Sequence, residues 1–209
     1  MKLRNPPEQS DSISDAIAYY DFHAEALASN YEGLSFEDVH PNILTLLPKF
    51  KAKILDVGAG SGRDANALAV RGHQVWAVEP SRELSKIGKE KHHQSIQWIN
   101  DRLPDLESLN DEKSTFGLIL LSAVWMHIQP EERNKALCTL VELLNNSGLL
   151  VITLRMGEVN EALMMFPVCK DELVVQGKEL GLEEVSCDFL SDKLGRDEVH
   201  WISLVFRKL

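Results

Sequence analysis

Short apolar runs alternate with helix-like segments from residue 52 to residue 155, and this alternation limits the folds open to the chain. Near-continuous apolar runs are typical of strands buried on both faces, as in a parallel sheet covered by helices. The five runs are AKILDV (52–57), HQVWAVE (73–79), SIQWIN (95–100), FGLILLS (116–122) and LLVITLR (149–155). Helices are predicted between them from Arg63 to Arg71, from Pro80–Ser81 to Lys91 and from Pro130 to Leu144, and residues 145–148 are predicted as a turn.

The last part of the chain has a different pattern. A helix is predicted near Lys170–Leu180, followed by two strands, EEVSCDFL (183–190) and VHWISLVF (199–206). The connection between these strands is too short for a crossover helix, so they are expected to be antiparallel neighbours. The sequence therefore predicts an α/β fold with five parallel strands and a C-terminal antiparallel hairpin.

Two helices are predicted before the first strand. Apolar residues recur at helical spacing from Ser12 to about Ser29, and a second helix is predicted from Phe36 to Leu47. Ser35 stands three residues before Asp38, a variant of the capping box. Residues 1–10 are polar and contain prolines, which is typical of a loose tail.

Composition excludes several classes of protein. The formal net charge of −10 disfavours nucleic-acid binding, because affinity for phosphates requires basic residues. No apolar run approaches the roughly 20 residues of a membrane helix, and the first residues lack the apolar core of a signal peptide. Cys138, Cys169 and Cys187 lie far apart, which favours a reducing, cytoplasmic setting over a disulfide framework or a structural zinc site.

A glycine-rich loop follows the first predicted strand. Gly58, Gly60 and Gly62 alternate with small residues, but Arg63 stands where a dinucleotide fingerprint has its third glycine, and no phosphate-binding GK[ST] follows. The second predicted strand ends at Glu79, whose carboxylate can accept hydrogen bonds from both ribose hydroxyls. The loop therefore predicts binding of a nucleoside rather than a dinucleotide.

The ordered segments ILDVGAGSG, VWAVEPS, INDRLP, FGLILLSAVWMH and NNSGLLVITLR resemble the motif series of class I S-adenosylmethionine-dependent methyltransferases. The resemblance covers roughly residues 50–155, and GSGRDANALAVRGHQVWAVEPS is similar to small bacterial enzymes that methylate small molecules or inorganic ions. It implies a Rossmann-like three-layer sandwich with a seven-stranded, mostly parallel sheet. Residues 1–34 are then a tail and a lid helix, and residues 35–209 form a single methyltransferase domain.

By matching position, the resemblance also implies a set of cofactor-binding residues. Asp56 helps to place the methionine ammonium, the glycine loop holds methionine and ribose, Glu79 binds ribose, and Asp101 accepts a hydrogen bond from the adenine amino group. Arg63 either faces the cofactor carboxylate or forms a structural ion pair. The full set is Asp56, Gly58, Ala59, Gly60, Gly62, Arg63, Glu79, Pro80, Ser81, Asp101, Arg102, Leu103, Ser122 and Ala123.

Candidates for the acceptor side follow the fourth strand. His127 is a candidate general base and Trp125 a candidate face for a cationic group, although packing of Trp125 and helix capping by His127 are alternatives. Arg155 and Arg196, with His200 nearby, would suit an acceptor that carries a carboxylate or a phosphate. The alternative is that these arginines form surface ion pairs, as most arginines do. Tyr20 or Tyr31 of the lid would touch the methionine end of the cofactor, or else belong to an aromatic stripe packed on the sheet.

These residues predict methyl transfer to a small-molecule acceptor by in-line displacement, in a monomer or homodimer without a metal. The fourth strand lacks the Pro-Pro-aromatic motif of amine-directed DNA methyltransferases, and no cysteine follows a proline, as cytosine C5 methylation would require. Two alternatives remain: a non-catalytic S-adenosylmethionine-binding regulator, and an RNA or protein methyltransferase that acts with a partner.

Overall fold

A seven-stranded sheet forms the centre of the protein. The computed structural model describes residues 12–158 and 163–209, and the sheet has the order β3-β2-β1-β4-β5-β7-β6. The first five strands are parallel and β6 and β7 are antiparallel neighbours, as the sequence predicted; β7 is also antiparallel to β5. The strands are β1 Lys53–Val57, β2 Gln74–Val78, β3 Gln97–Ile99, β4 Phe116–Leu121, β5 Leu144–Met156, β6 Leu182–Ser191 and β7 His200–Lys208.

Helices cover both faces of the sheet. The α-helices are α1 Ser12–Phe22, α2 Ala24–Glu32, α3 Phe36–Val39, α4 Arg63–Val70, α5 Arg82–Lys91, α6 Arg133–Leu143 and α7 Lys170–Glu179. Short 3₁₀ turns span Pro41–Ile43, Glu107–Glu112, Trp125–His127 and Pro130–Glu132. In the described parts of the chain, no helix combines the length and apolar composition needed to cross a membrane.

Alternate residues of each central strand enter two separate cores. Leu55 of β1 packs in one buried cluster with Leu137 of α6, whereas Ile54 packs in the other with Leu68 of α4. Successive strand residues point to opposite faces, so a strand buried on both sides must be apolar throughout. The predicted three-layer sandwich is therefore confirmed.

The predicted first helix, Ser12 to Ser29, is wrong in one respect, because the chain turns at His23 and forms two helices. His23 has φ −101° and ψ 12°, outside helical geometry. Both helices pack on α5, and the turn lets each reach it separately. The predicted tail, residues 1–10, lies outside the described residues.

The predicted helix from Phe36 to Leu47 is also wrong, since α3 ends at Val39. Pro41 stops it, because proline has no N–H to donate and disfavours helical geometry in the residue before it, here His40 with φ −124°. The Ser35–Asp38 capping box is present, with the Asp38 amide donating to Ser35 Oγ at 3.1 Å.

Two further boundaries differ from the prediction. The helix expected from Pro130 begins with a 3₁₀ turn, and the α-helix starts at Arg133. The turn expected at residues 145–148 is an irregularity inside β5, where the register against β4 shifts between Phe116 and Leu118.

Candidate functional site

A cavity of about 420 Å³ opens at the carboxyl ends of the parallel strands. Strand ends and the loops after them form its floor, while α1, α2 and the β6–β7 connection form its roof. Ligands of open α/β sheets bind at this edge because loops and helix N-termini converge there. The volume lies within the range of about 300–1,000 Å³ that is usual for small-molecule sites.

The glycine loop forms one wall of this cavity and is fixed to β2. The amides of Gly58 and Ala59 donate to the carbonyl oxygen of Val78 at 2.8 and 3.0 Å. Gly58 has φ +69°, and a Cβ added there would lie 2.4 Å from Cγ2 of Val124. A side chain at residue 58 would therefore be strained and would collide with the segment after β4.

The loop is also supported from behind by Trp98 of β3. A Cβ on Gly62 would lie 2.8 Å from Cη2 of this indole, and a Cβ on Gly88 of α5 would lie 2.4 Å from the same atom. The Gly88 Cβ would also lie 2.6 Å from the carbonyl oxygen of Ser61. Two glycines thus leave the space that the indole fills between the loop and α5.

Glu79 follows β2 and is buried beside the loop. Its Oε2 accepts a hydrogen bond from the Gly60 amide at 2.7 Å, and its Oε1 accepts one from the Ser81 amide at 2.8 Å. Burial raises the pKa of Glu79 to about 7, although these two amides oppose the shift. A carboxylate has about four lone-pair sites, so each oxygen can accept one further hydrogen bond from a ligand.

Charged residues are buried beneath the loop. Asp64 accepts from Nε and Nη2 of Arg63 at 2.7 and 2.8 Å, and its Oδ2 lies 3.0 Å from Nε2 of His40. Burial and the nearby charge of Asp64 raise the pKa of Asp56. Among the described residues, Oδ2 of Asp56 has no hydrogen-bond partner. This oxygen can therefore accept a hydrogen bond from a donor that enters the cavity.

The opposite end of the cavity contains Tyr20 of α1 and His127 of the turn after β4. The hydroxyl of Tyr20 lies 3.0 Å from Nε2 of His127. Burial raises the pKa of Tyr20 and lowers that of His127, so both side chains are neutral near pH 7. A neutral imidazole is able to accept a proton.

Hydrogen bonds accepted by two acidic residues hold the roof helices in place. Asp21 of α1 accepts from Ser81 Oγ at 2.6 Å, and Glu32 of α2 accepts from Ser61 Oγ at 2.8 Å. Glu32 also pairs with His92 at 2.9 Å and Lys91 at 3.1 Å. Burial alone would raise the pKa of Glu32, but these three hydrogen bonds outweigh it and lower the pKa to about 2.

Comparison with known sequences identifies the domain. Residues 54–148 match a family model described as a methyltransferase domain. An uncharacterized methyltransferase of Alkaliphilus oremlandii is 32% identical over 113 residues, covering 51% of this chain and 47% of that protein. One of Bacillus cereus is 25% identical over 157 residues, covering 75% and 68%. The chain thus spans about half the length of the first relative and two thirds of the second.

A solved structure has the same fold. This is the 1,6-didemethyltoxoflavin-N1-methyltransferase of Burkholderia thailandensis, with 1,6-didemethyltoxoflavin and S-adenosylhomocysteine bound. It superposes with a TM-score of 0.75 at 17% identity, covering 99% of this chain and 93% of that one. Residues 54–148 thus match a methyltransferase domain in sequence, and the chain shares the fold of solved S-adenosylmethionine-dependent methyltransferases.

The cavity brings together most residues that the sequence singled out. Arg63 forms an ion pair with Asp64, one of its two alternatives; it also lines the cavity, and its contact with a cofactor carboxylate stays a prediction. The predicted residues that line the cavity are Asp56, Gly58, Ala59, Gly60, Arg63, Glu79, Pro80, Asp101, Arg102, Leu103, Ser122, Ala123, His127, Tyr20, Tyr31, Arg155 and Arg196.

Four predicted residues lie elsewhere. Trp125 is 2% exposed and packs in a core cluster with apolar neighbours, which corrects its assignment to the acceptor side. His200 is exposed at the start of β7 and does not line the cavity. Ser81 caps α5 and donates to Asp21, and Gly62 supports the loop against Trp98.

Several residues of this site were not predicted from the sequence. Thr153 accepts a hydrogen bond from the Ala123 amide at 2.7 Å and fixes the turn after β4. Asp192 and Trp201 line the cavity from the β6–β7 region, and His40 lies fully buried beside Asp64. Nothing in the local sequence marks these residues, since long-range packing brings them to the site. In residues 12–158 and 163–209, no group of three metal-ligating side chains lies close enough to hold an ion.

Proposed function

We propose that the protein transfers a methyl group from S-adenosylmethionine to a small-molecule acceptor. One observation carries the proposal: the buried Glu79, with an open acceptor site on each oxygen, faces the same enclosed cavity as the Tyr20–His127 pair. One end suits a nucleoside, and the other has a polar pair that can bind and deprotonate a second molecule.

The residues present fit the cofactor. Glu79 would accept hydrogen bonds from the ribose hydroxyls, and the ammonium of the methionine part would supply the donor that Asp56 Oδ2 lacks. Asp101 lies at the adenine end, where its carboxylate already accepts from the amides of Arg102 and Ser108 at 2.7 and 2.8 Å. Pro80 and Leu103 line the same end and offer apolar surface to the adenine ring.

S-adenosylmethionine supplies an electrophilic methyl group, whose bonding electrons return to sulfur as the new bond to the acceptor forms. The chain has to align the acceptor with this methyl group and exclude water, a proximity effect that reaches about 7–11 kcal/mol in favourable cases. His127, neutral near pH 7, would accept the proton that the acceptor loses, and the Tyr20 hydroxyl would orient it.

The enclosed shape supports a small acceptor. Glu32 and Asp21 hold α2 and α1 over the cavity through five hydrogen bonds and ion pairs to the glycine loop and to α5. A duplex or a folded protein would have to displace both helices. We propose on the same ground that α1 and α2 act as the lid expected from the sequence.

Two measurements test the proposal. Calorimetric titration with S-adenosylhomocysteine should give saturable one-site binding, and the protein with S-adenosylmethionine should form S-adenosylhomocysteine when a low-molecular-mass cell extract is added. Absence of binding at millimolar ligand would overturn the cofactor assignment. Product formed only with the macromolecular fraction would overturn the small acceptor, and binding without product in either fraction would favour a regulatory protein.

A further inference from the structure

Two arginines line the cavity on the side away from Glu79. Arg155 lies near the end of β5, and Arg196 lies in the connection between β6 and β7. In the sheet, β5 and β7 are separated from β2 by β1 and β4, so these arginines belong to the acceptor side. The mechanism proposed above uses neither of them.

Hydrogen bonds hold both guanidinium groups in place. Arg196 donates from Nε and Nη2 to the two oxygens of Asp192, at 3.1 and 2.6 Å. The same carboxylate accepts from Nε1 of Trp201 at 3.0 Å, and Trp201 is the register partner of Arg155 across β5 and β7. Arg155 donates from Nη1 to the carbonyl oxygen of Glu158 at 2.6 Å. Arg155, Asp192, Arg196 and Trp201 form what we call the arginine cluster.

Positive charge exceeds negative charge in this cluster. It has two guanidinium groups and one carboxylate, and Asp192 has its pKa lowered by the Arg196 and Trp201 hydrogen bonds, which outweigh its burial. Burial lowers the pKa of Arg155, and the charge of Arg196 lowers it further. Hydrogen bonds from Ser35 lower the pKa of Asp38, and the charge of Lys193, which also lines the cavity, lowers it further. One more negative charge would bring the net charge of the four residues of the arginine cluster to zero.

We propose that the methyl acceptor carries an anionic group, a carboxylate or a phosphate, that binds between Arg155 and Arg196. The inference rests on the proposed function, since it names the acceptor class for the same cavity. A planar guanidinium donates two parallel hydrogen bonds to such an oxyanion, which gives both affinity and orientation. The carboxylate of the cofactor would not need these two arginines, because Arg63 lines the cavity near the glycine loop, on the β1 side.

The first experiment asks which molecules are methylated. A low-molecular-mass extract is separated on an anion exchanger at neutral pH, and S-adenosylhomocysteine formation is measured with the retained and the unretained fractions. We expect product with the retained fraction and a loss of at least tenfold in kcat/KM for Arg155→Gln and Arg196→Gln. Arg207→Gln is the matched control, because it removes one exposed positive charge from β7, at the end of that strand away from the cavity.

The second experiment needs no turnover. The complex with S-adenosylhomocysteine is titrated with inorganic phosphate and, separately, with malonate, and the tryptophan fluorescence is followed, since Trp201 lies in the cluster. The inference is supported if either anion binds saturably and its affinity falls at least tenfold in Arg155→Gln or Arg196→Gln but not in Arg207→Gln. The two titrations distinguish a phosphate from a carboxylate.

Three outcomes overturn it. Product formed with the unretained fraction would keep the proposed function and remove the anionic acceptor. A tenfold loss of S-adenosylhomocysteine affinity in Arg155→Gln would show that the arginines hold the cofactor instead. Absence of anion binding in a complex that binds S-adenosylhomocysteine would leave the cluster without this role. By contrast, absence of S-adenosylhomocysteine binding in the unmodified protein is a failure of the proposed function itself.

Discussion

The two ends of the cavity are constructed differently. At the cofactor end, the glycine loop, Glu79 and Asp101 each directly follow a strand or lie within two residues of its end, and backbone amides make most of the contacts. At the acceptor end, Tyr20 and His127 are 107 positions apart and meet because α1, packed on α5, forms part of the roof of the cavity. The first end depends on local backbone geometry, whereas the second depends on long-range packing. Substitutions at the two ends should therefore change different measured quantities.

The largest effect is expected from Glu79→Ala. It removes two hydrogen bonds from ribose to a charged group, each worth about 1.5–3 kcal/mol, so S-adenosylhomocysteine affinity should fall at least 100-fold by calorimetry. Glu83→Ala is the control, because Glu83 is exposed on α5, the helix that follows Glu79. This variant should bind S-adenosylhomocysteine normally. A loss below threefold in a variant that still unfolds cooperatively would contradict the role of Glu79.

His127→Asn should separate turnover from binding. General base catalysis contributes about 10²–10⁴-fold, so turnover should fall at least tenfold while S-adenosylhomocysteine affinity changes less than threefold. Tyr20→Phe keeps the ring and removes the hydroxyl that lies 3.0 Å from His127, and should give a smaller loss of turnover. If His127→Asn lowers affinity and turnover equally, the two ends are not independent.

Cofactor affinity should depend on pH through Glu79, whose pKa burial raises to about 7. The ribose hydroxyls need acceptors on both carboxylate oxygens, so S-adenosylhomocysteine affinity should fall about tenfold from pH 7.5 to pH 6, and Glu79→Gln should flatten this profile. Stability without ligand should change in the opposite sense. The folded state holds this proton more tightly than the unfolded one, so the contribution of Glu79 to stability falls as pH rises from 4.5 to about 7.

The smallest effect is expected at the lid. Glu32→Gln weakens the ion pairs to His92 and Lys91 and should lower S-adenosylhomocysteine affinity by no more than fivefold and the melting temperature by about 2–4 °C. Glu25→Gln removes a charge from the exposed face of the same helix and is the matched control. Equal behaviour of the two variants would mean that Glu32 does not hold α2 over the loop.

The same difference explains what could be predicted from the sequence. The parallel strands, the hairpin and the position of Glu79 follow from hydrophobic periodicity and from residues next to strand ends, which are local signals. The break at His23 and the early end of α3 were missed, because packing on α5 and the restriction imposed by Pro41 outweigh helical periodicity. Trp125 was misplaced for a similar reason, since a residue in a short turn points either to the cavity or to the core.

Acceptor-side residues were harder to predict than cofactor-side ones. The mutual contacts of Asp192, Arg196 and Trp201 depend on the pairing of β6 with β7, which fixes their register but leaves no motif in the sequence. His40 is brought beside Asp64 by the turn after α3, and a single buried histidine gives no recognisable pattern. Prediction of such residues requires the fold.

Trp98 does not line the cavity, yet its indole connects the glycine loop with α5. A side chain at residue 88 would collide with both Trp98 and the Ser61 carbonyl oxygen. It would therefore displace both groups toward the nucleoside end of the site. A side chain at residue 88, which does not line the cavity, should therefore weaken S-adenosylhomocysteine binding through Trp98 and the loop, without altering a residue that lines the site.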